Sequence, residues 1–242
     1  MHRIRALATD YDGTIATHGV VDDATLAALR RLRESGRKLI MVTGRRMDDL
    51  HSVFPHVSGF DLVVAENGAT IYWPHDGREE VLAEKPSAEF VAMLTKAGIH
   101  PIEVGKVIVG TVEPHDKTVF EAIKLLGLEL QVIFNKGSVM VLPTGVNKAT
   151  GLKAALAKMK LRPEDVVAVG DAENDHAFFE FCGLSAAVGN ALPALKDRAD
   201  IVLEGRHGEG VAQLIDSIIT GKLPERRKSP SDLPGAGQLN PA

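Results

Sequence analysis

The sequence predicts an α/β protein: a parallel sheet covered on both faces by helices, interrupted by a small inserted α+β unit. Three observations carry that expectation. Short apolar segments alternate with amphipathic ones at both ends of the chain, as strands and crossover helices do. The short segments are apolar almost throughout, as strands buried on both faces are. Between about residues 83 and 143 the order changes to helix, strand, helix and hairpin.

Residues 4–9 read as a short strand running into a turn at Asp12-Gly13. Residues 22–35 carry Leu26, Leu29 and Leu32 on one helical face, with Asp22 or Asp23 to cap the start and Gly36 to end it. A strand over 38–44 ends in a small-residue turn, and a helix over 46–54 and a strand over 62–65 follow. The pattern returns with helices over 149–159, 174–182, 191–198 and 209–220 and strands over 166–169, 185–188 and 200–203. Between these halves lie helices over 87–97 and 116–126 and a strand over 107–113. LQVIF and SVMVL then flank the turn tripeptide Asn135-Lys136-Gly137. The expected organisation is a core domain from 1–82 and 144–223, an inserted cap domain over 83–143, and a tail over 224–242. The tail holds Pro224, Pro230, Pro234 and Pro241 and too few large apolar side chains to build a core, so it is expected to be disordered.

Composition narrows the function classes. The net charge of −4, from 28 basic and 32 acidic residues, gives no electrostatic case for a nucleic-acid partner. No apolar run approaches the roughly 18 residues that span a bilayer. The N-terminus offers no secretory signal and the single Cys182 forms no internal disulfide, so a cytoplasmic location is expected. Cys182 follows Ala177, Phe178, Phe179 and Phe181 and reads as a core residue. Neither a phosphate-binding GxxxxGK[ST] loop nor GxGxxG, HExxH or CxxC occurs. Oligomeric state leaves no signal.

The chemistry-bearing residues stand mostly at strand ends. They are Asp10, Asp12 and Thr14; then Thr43, Gly44 and Arg45; then Asp171, Asn174 and Asp175. Lys148 opens a helix where the chain re-enters the core. Ligands of open parallel sheets bind at the carboxyl ends of the strands, so these groups are expected to converge. Asp10 and Asp12 are two apart and in extended backbone point the same way, with Tyr11 opposite. Four crowded carboxylates repel one another unless a cation intervenes. Mg²⁺ prefers oxygen ligands and suits such a site. With Mg²⁺ and Lys148 the formal sum is −4 + 2 + 1 = −1, which reaches zero when one aspartate holds a proton. An aspartate is ionised at neutral pH without a base, so it can act as a nucleophile if cations stabilise the transferring group. The Thr43 hydroxyl and the Gly44 N–H suit phosphate oxygens, and Lys148 supplies a point charge. A lone Asp-x-Asp or a lone Thr-Gly after a strand is more often turn chemistry. Their joint order argues against coincidence.

DYDGT (10–14) resembles the first motif of the haloacid dehalogenase-like superfamily, and VTGR (42–45), Lys148 in GVNKATGL (145–152) and GDAEND (170–175) follow in that family's order. The resemblance covers the chain to about residue 221 and implies a Rossmann-like core. AENGA (65–69) and the insert resemble the Cof-type branch with a short type-two α/β cap, as in phosphoglycolate and sugar phosphatases. It implies an Mg²⁺-dependent phosphomonoesterase acting on a small phosphorylated metabolite. Asp10 would be the nucleophile and a metal ligand. Asp12 would be the acid/base and ligate through its main-chain carbonyl. Thr43, Gly44, Lys148 and Asn174 would bind phosphate, Asp171 would complete the metal shell and Asp175 would support it. Arg45 and Asn67 would face the site. Two rivals remain: a phosphomutase of the phosphomannomutase type, disfavoured because residues 83–143 contain no arginine, and a phosphoacceptor signalling module. Specificity is expected from the insert, at Pro114–Lys117 and at the turn Asn135–Ser138.

Overall fold

The computed structural model describes residues 4–223, so the proline-rich segment 224–242 lies outside the described residues. The chain opens with β1 (Ala6–Thr9), buried along its whole length. Helix α1 (Asp23–Glu34) begins where the Asp22 carboxylate accepts the Thr25 N–H at 2.7 Å, which satisfies one of the orphan donors of the first turn. Leu29, Leu32 and Ala28 form its buried face. The apolar strand β2 (Lys38–Val42) leads to α2 (Met47–Val53) and then to β3 (Leu62–Ala65).

The sequence pattern predicts no helix or strand over residues 66–82, and here the sheet continues. Strand β4 (Thr70–Trp73) turns back against β3, and β5 (Arg78–Val81) pairs antiparallel with β4. The signal was Asp76-Gly77, with Gly77 at φ +69°, a dipeptide suited to hairpin turns. The paired residues Trp73 and Arg78 stack, the guanidinium lying 3.8 Å from the ring centroid.

The insert contributes α3 (Ala88–Lys96), β6 (Glu103–Val104), β7 (Val109–Val112), α4 (Asp116–Leu126), β8 (Leu130–Asn135) and β9 (Ser138–Pro143). Its four strands form a separate antiparallel sheet in the order β6-β7-β9-β8. Phe90 and Leu94 of α3 and Val119 and Ala122 of α4 pack against Val109, Val139 and Val141 in an apolar cluster of their own. The two-residue β6 had no counterpart in the sequence reading, being too short for a periodicity.

The chain returns through α5 (Lys148–Met159), β10 (Val166–Gly170), α6 (His176–Phe181), β11 (Leu184–Ala187), α7 (Pro193–Arg198), β12 (Ile201–Val202) and α8 (His207–Thr220). The large sheet has the order β12-β11-β10-β1-β2-β3-β4-β5, parallel except for its last two strands. It is flanked by helices, with α1 packed on α8 and α5 on α6. Leu7, Leu39, Val63 and Val167 lie fully or almost fully buried in one continuous core, each contributing about 1.5–3 kcal/mol. Strand β1 pairs with β10 on one side and β2 on the other. The chain order therefore reverses beside β1, where a crevice opens at the strand carboxyl ends.

Candidate active site

Asp10 follows the last residue of β1 and is 5 % exposed. Its Oδ1 receives the Lys148 ammonium at 2.6 Å, and the same Nζ reaches Asp175 Oδ1 at 2.6 Å. Lys148 can be buried because it opens α5 from a firm cap, with Asn147 accepting the Ala149 and Thr150 N–H groups. The Thr14 hydroxyl stands 3.1 Å from Asp10 Oδ2 and 3.2 Å from Asp171 Oδ1. With one hydrogen it donates to one carboxylate at a time.

Asp171 and Asp175 come from the loop after β10. Asp175 Oδ2 accepts the N–H groups of Asp171 at 2.8 Å and Ala172 at 3.0 Å. That inward pull gives a 3₁₀ turn over Glu173–Asp175 before α6 begins at His176, where the sequence predicted continuous helix from 174. Gly170 is required here, because a Cβ on it would stand 2.4 Å from Asp175 Oδ2. Gly13 has φ +85°, and a Cβ there would meet Asp171 Oδ2 at 2.2 Å. The Gly13 carbonyl is held in turn by Asn190 Nδ2 and His207 Nδ1, each at 2.8 Å.

Asp10, Asp171 and Asp175 each offer a carboxylate oxygen, all within 4.8 Å of one another, and all three residues are buried. Burial lifts the Asp10 carboxyl to about 8, Lys148 opposing the rise while Asp175 and Asp171 add to it. Asp171 is also raised by burial, against the pull of Lys136. Burial presses the Lys148 ammonium down, but the Asp10 and Asp175 carboxylates outweigh it and hold the group charged. A donor set of buried carboxylates that resists ionisation fits a hard divalent cation. Asp175 suits a supporting place better than direct ligation, since Lys148 and two N–H groups already occupy both its oxygens.

The expected cluster of four carboxylates is a cluster of three. Asp12 forks onto Arg45, with Nε at 2.6 Å and Nη2 at 2.8 Å from its two oxygens. Arg45 also donates to Asp49 at 2.6 Å, and its hydrogen bond to Asp12 keeps the guanidinium firmly protonated. Arg45 therefore brings to the site a positive charge that the sum over the four carboxylates, Mg²⁺ and Lys148 leaves out. Tyr11, between the two aspartates, points away into the core, its hydroxyl donating to the Gly19 carbonyl at 2.7 Å.

Thr43 is buried beneath the site, its Oγ1 accepting the Arg45 N–H at 3.1 Å. Gly44, Arg45, Asp10 and Asp12 line a cavity of about 310 Å³. Asn67 and Asn174 lie together, Asn174 Nδ2 donating to Asn67 Oδ1 at 3.0 Å, and Asn67 Nδ2 reaches Met140 Sδ at 3.2 Å. Glu66 and Asn67 have φ values of 49° and 55°, a costly backbone for consecutive non-glycine residues.

Arg46 and Asp49 continue the wall, and the insert closes it with Ile108, Thr111, Asn135, Ser138 and Met140 among others. Of the two segments expected to set specificity, Asn135 and Ser138 line the cavity, whereas no residue of Pro114–Lys117 does. Two contacts between the insert and the core are not legible in the sequence. Lys136, at the hairpin turn, contacts Asp171 Oδ2 with its ammonium. Glu66 is buried and accepts the N–H groups of Lys106, Val107 and Ile108 at 2.9, 2.8 and 2.8 Å. Lys136 stood inside the turn tripeptide and Glu66 inside AENGA. Neither spacing revealed a partner across 35 or more residues.

This is a buried acidic cluster at a strand-order reversal, roofed by an inserted sheet. Residues 7–100 and 95–215 match the family described as haloacid dehalogenase-like hydrolase, and the chain belongs to it. Within that family it stands among the phosphatases. It is 34% identical over 222 residues to a phosphoglycolate phosphatase of Methanothermobacter thermautotrophicus, covering 88% of this chain and 97% of the relative. A second relative, phosphoglycolate phosphatase 2 of Saccharolobus solfataricus, is 28% identical, with 90% and 93% covered. The fold is shared with a solved protein of Thermoplasma acidophilum, with TM-score 0.78, 18% identity and coverage of 90% and 99%. Among the described residues no helix is long and apolar enough to cross a membrane.

Proposed function

We propose that this chain is a Mg²⁺-dependent phosphomonoesterase that cleaves a small phosphorylated metabolite through an aspartyl-phosphate on Asp10. The observation that carries the reading is the position of Asp10. It is buried against Lys148 and Asp171 yet reaches the cavity whose wall holds Asp12. Asp10 and Asp171 carboxylates, with the main-chain carbonyl of Asp12, would hold the cation. When bound, it supplies positive charge beside the transferring phosphoryl group.

In the first step an Asp10 oxygen forms a bond to phosphorus as the ester P–O bond breaks. The leaving oxygen takes a proton from Asp12. In the second step water attacks phosphorus, Asp12 takes a proton from it, and the P–O bond to Asp10 breaks to release phosphate. Arg45 orients Asp12 in this cycle, and a protonated Asp12 cannot accept at both oxygens, so it swings out of that fork to carry its proton. Lys148 neutralises the aspartyl-phosphate, and Gly44 and Asn174 bound the phosphoryl side. A roof made by the insert limits water at the first step.

The names of the relatives favour a short phosphorylated acid such as 2-phosphoglycolate as substrate. A phosphate-release screen over metabolite phosphates, with Mg²⁺ and with chelator, tests the reading. Metal-dependent release that Asp10→Asn abolishes is expected. Near-normal turnover by that variant ends the nucleophile assignment.

A further inference from the structure

We propose that Arg46 is a specificity-determining residue that binds a carboxylate on the leaving-group side of the phosphomonoester. The inference rests on the phosphatase reading above and deepens it. Arg45 and Arg46 are consecutive cations at the edge of the same cavity, but only the first is committed. Arg45 donates to both Asp12 and Asp49. Arg46 turns toward the insert, where its Nη1 donates to the Val104 carbonyl at 3.3 Å.

The other partners of Arg46 are weak. Asp48 lies 3.6 Å from Nη1 with its side chain 71% exposed, and a solvated pair of that kind contributes little. The Nε of Arg46 is buried and has no hydrogen-bond partner among the described residues. A buried guanidinium N–H without an acceptor is costly. A planar carboxylate supplies two acceptors at once and matches the guanidinium fork.

Arg46 lines the cavity together with Asp10 and Asp12. One small molecule can therefore meet the nucleophile at its phosphate end and the guanidinium at its other end. The cavity, about 310 Å³, lies at the small end of ligand sites. Asn135, also in the lining, has a buried Oδ1 without a partner; an acceptor suits a substrate hydroxyl and not a carboxylate. Glu103 of β6 lines the cavity as well, and its charge opposes an anion. The committed cation thus acts at the phosphate side, and the uncommitted one selects the remainder of the substrate.

The test compares two phosphomonoesters of similar size, 2-phosphoglycolate with a carboxylate and glycerol 2-phosphate without one. Steady-state kcat and KM are measured for the full chain, Arg46→Met, Arg46→Lys and Glu103→Gln, with thermal midpoints to confirm folding. The wild type is expected to prefer 2-phosphoglycolate. Arg46→Met lowers the kcat/KM ratio of the two substrates at least about tenfold, mostly through KM for the acid. Arg46→Lys retains part of the preference, and Glu103→Gln enlarges it. The proposal is overturned if Arg46→Met lowers both substrates by one factor, which makes Arg46 a tether to the insert. No wild-type preference for the acid overturns it as well. Absence of phosphate release from either ester instead removes the phosphatase reading, and the proposal falls with it.

Discussion

The floor of the cavity and its roof hold charge by opposite means. In the floor, Asp10, Asp171, Asp175 and Lys148 are almost wholly buried and each has a side-chain partner on a different segment of the core. In the roof, Lys136 contacts Asp171 from a side chain 45% exposed, Lys106 pairs with Glu79 from one 54% exposed, and the Glu66 carboxylate receives three N–H groups of the insert. A fully buried ion pair tolerates no partial loss, because the remaining charge is stranded. An exposed lysine can leave its partner and return to water at small cost. The invariant part of the chemistry belongs on the rigid floor, and the part that adapts to a leaving group belongs on the roof.

The sharpest break is at the floor. Asp10→Asn keeps the shape but removes the nucleophile, and phosphate release should fall at least about 10³-fold in a single-turnover assay. Next in size, Lys148→Met strands Asp10 and Asp175, which accept its ammonium at 2.6 Å each. Urea unfolding should show a loss of about 3–5 kcal/mol, and an unchanged midpoint would mean the floor does not depend on that pair.

Proton linkage gives a third test. In chelator, Asp10 titrates near 8 in the fold against about 3.9 when unfolded. The folded state therefore binds the extra proton, and its stabilising effect is fully present below about pH 4. It is lost as pH rises through 8, so Tm should decline over that window. Mg²⁺ should then raise Tm more at pH 8 than at pH 5, and equal increments at both would contradict the carboxylate site.

The smallest effect is at the roof. Glu66→Gln removes the charge that draws three N–H groups of the insert to the core, at about 1–3 kcal/mol. Hydrogen exchange at Lys106–Ile108 should quicken while β1 and β10 stay protected. Loss of protection across β1 would show that floor and roof are one cooperative unit.

Much of this was legible in the sequence because local physics wrote it there. Strand β3 and helix α4 occur at their predicted residues, being a short apolar run and an amphipathic segment closed by Gly127 at φ +62°. The extension by β4 and β5 was missed, since Arg78–Val81 reads REEV and is at most partly buried. Its pairing comes from β4 and not from an apolar pattern. Cys182 is packed against the core as read, and burial pushes its thiol to about 12.

By itself the sequence determined which chemical groups exist and where along the strands they stand. Strand ends place Asp10, Thr43 and Asp171 at one rim whatever the loops do, because parallel strands share a direction. Only the tertiary structure decided how the charges are neutralised. Arg45 takes Asp12, Lys148 bridges Asp10 and Asp175, Lys136 reaches Asp171, and Arg46 is left facing the cavity. Attraction between charges depends on distance and burial, and separation along the chain records neither.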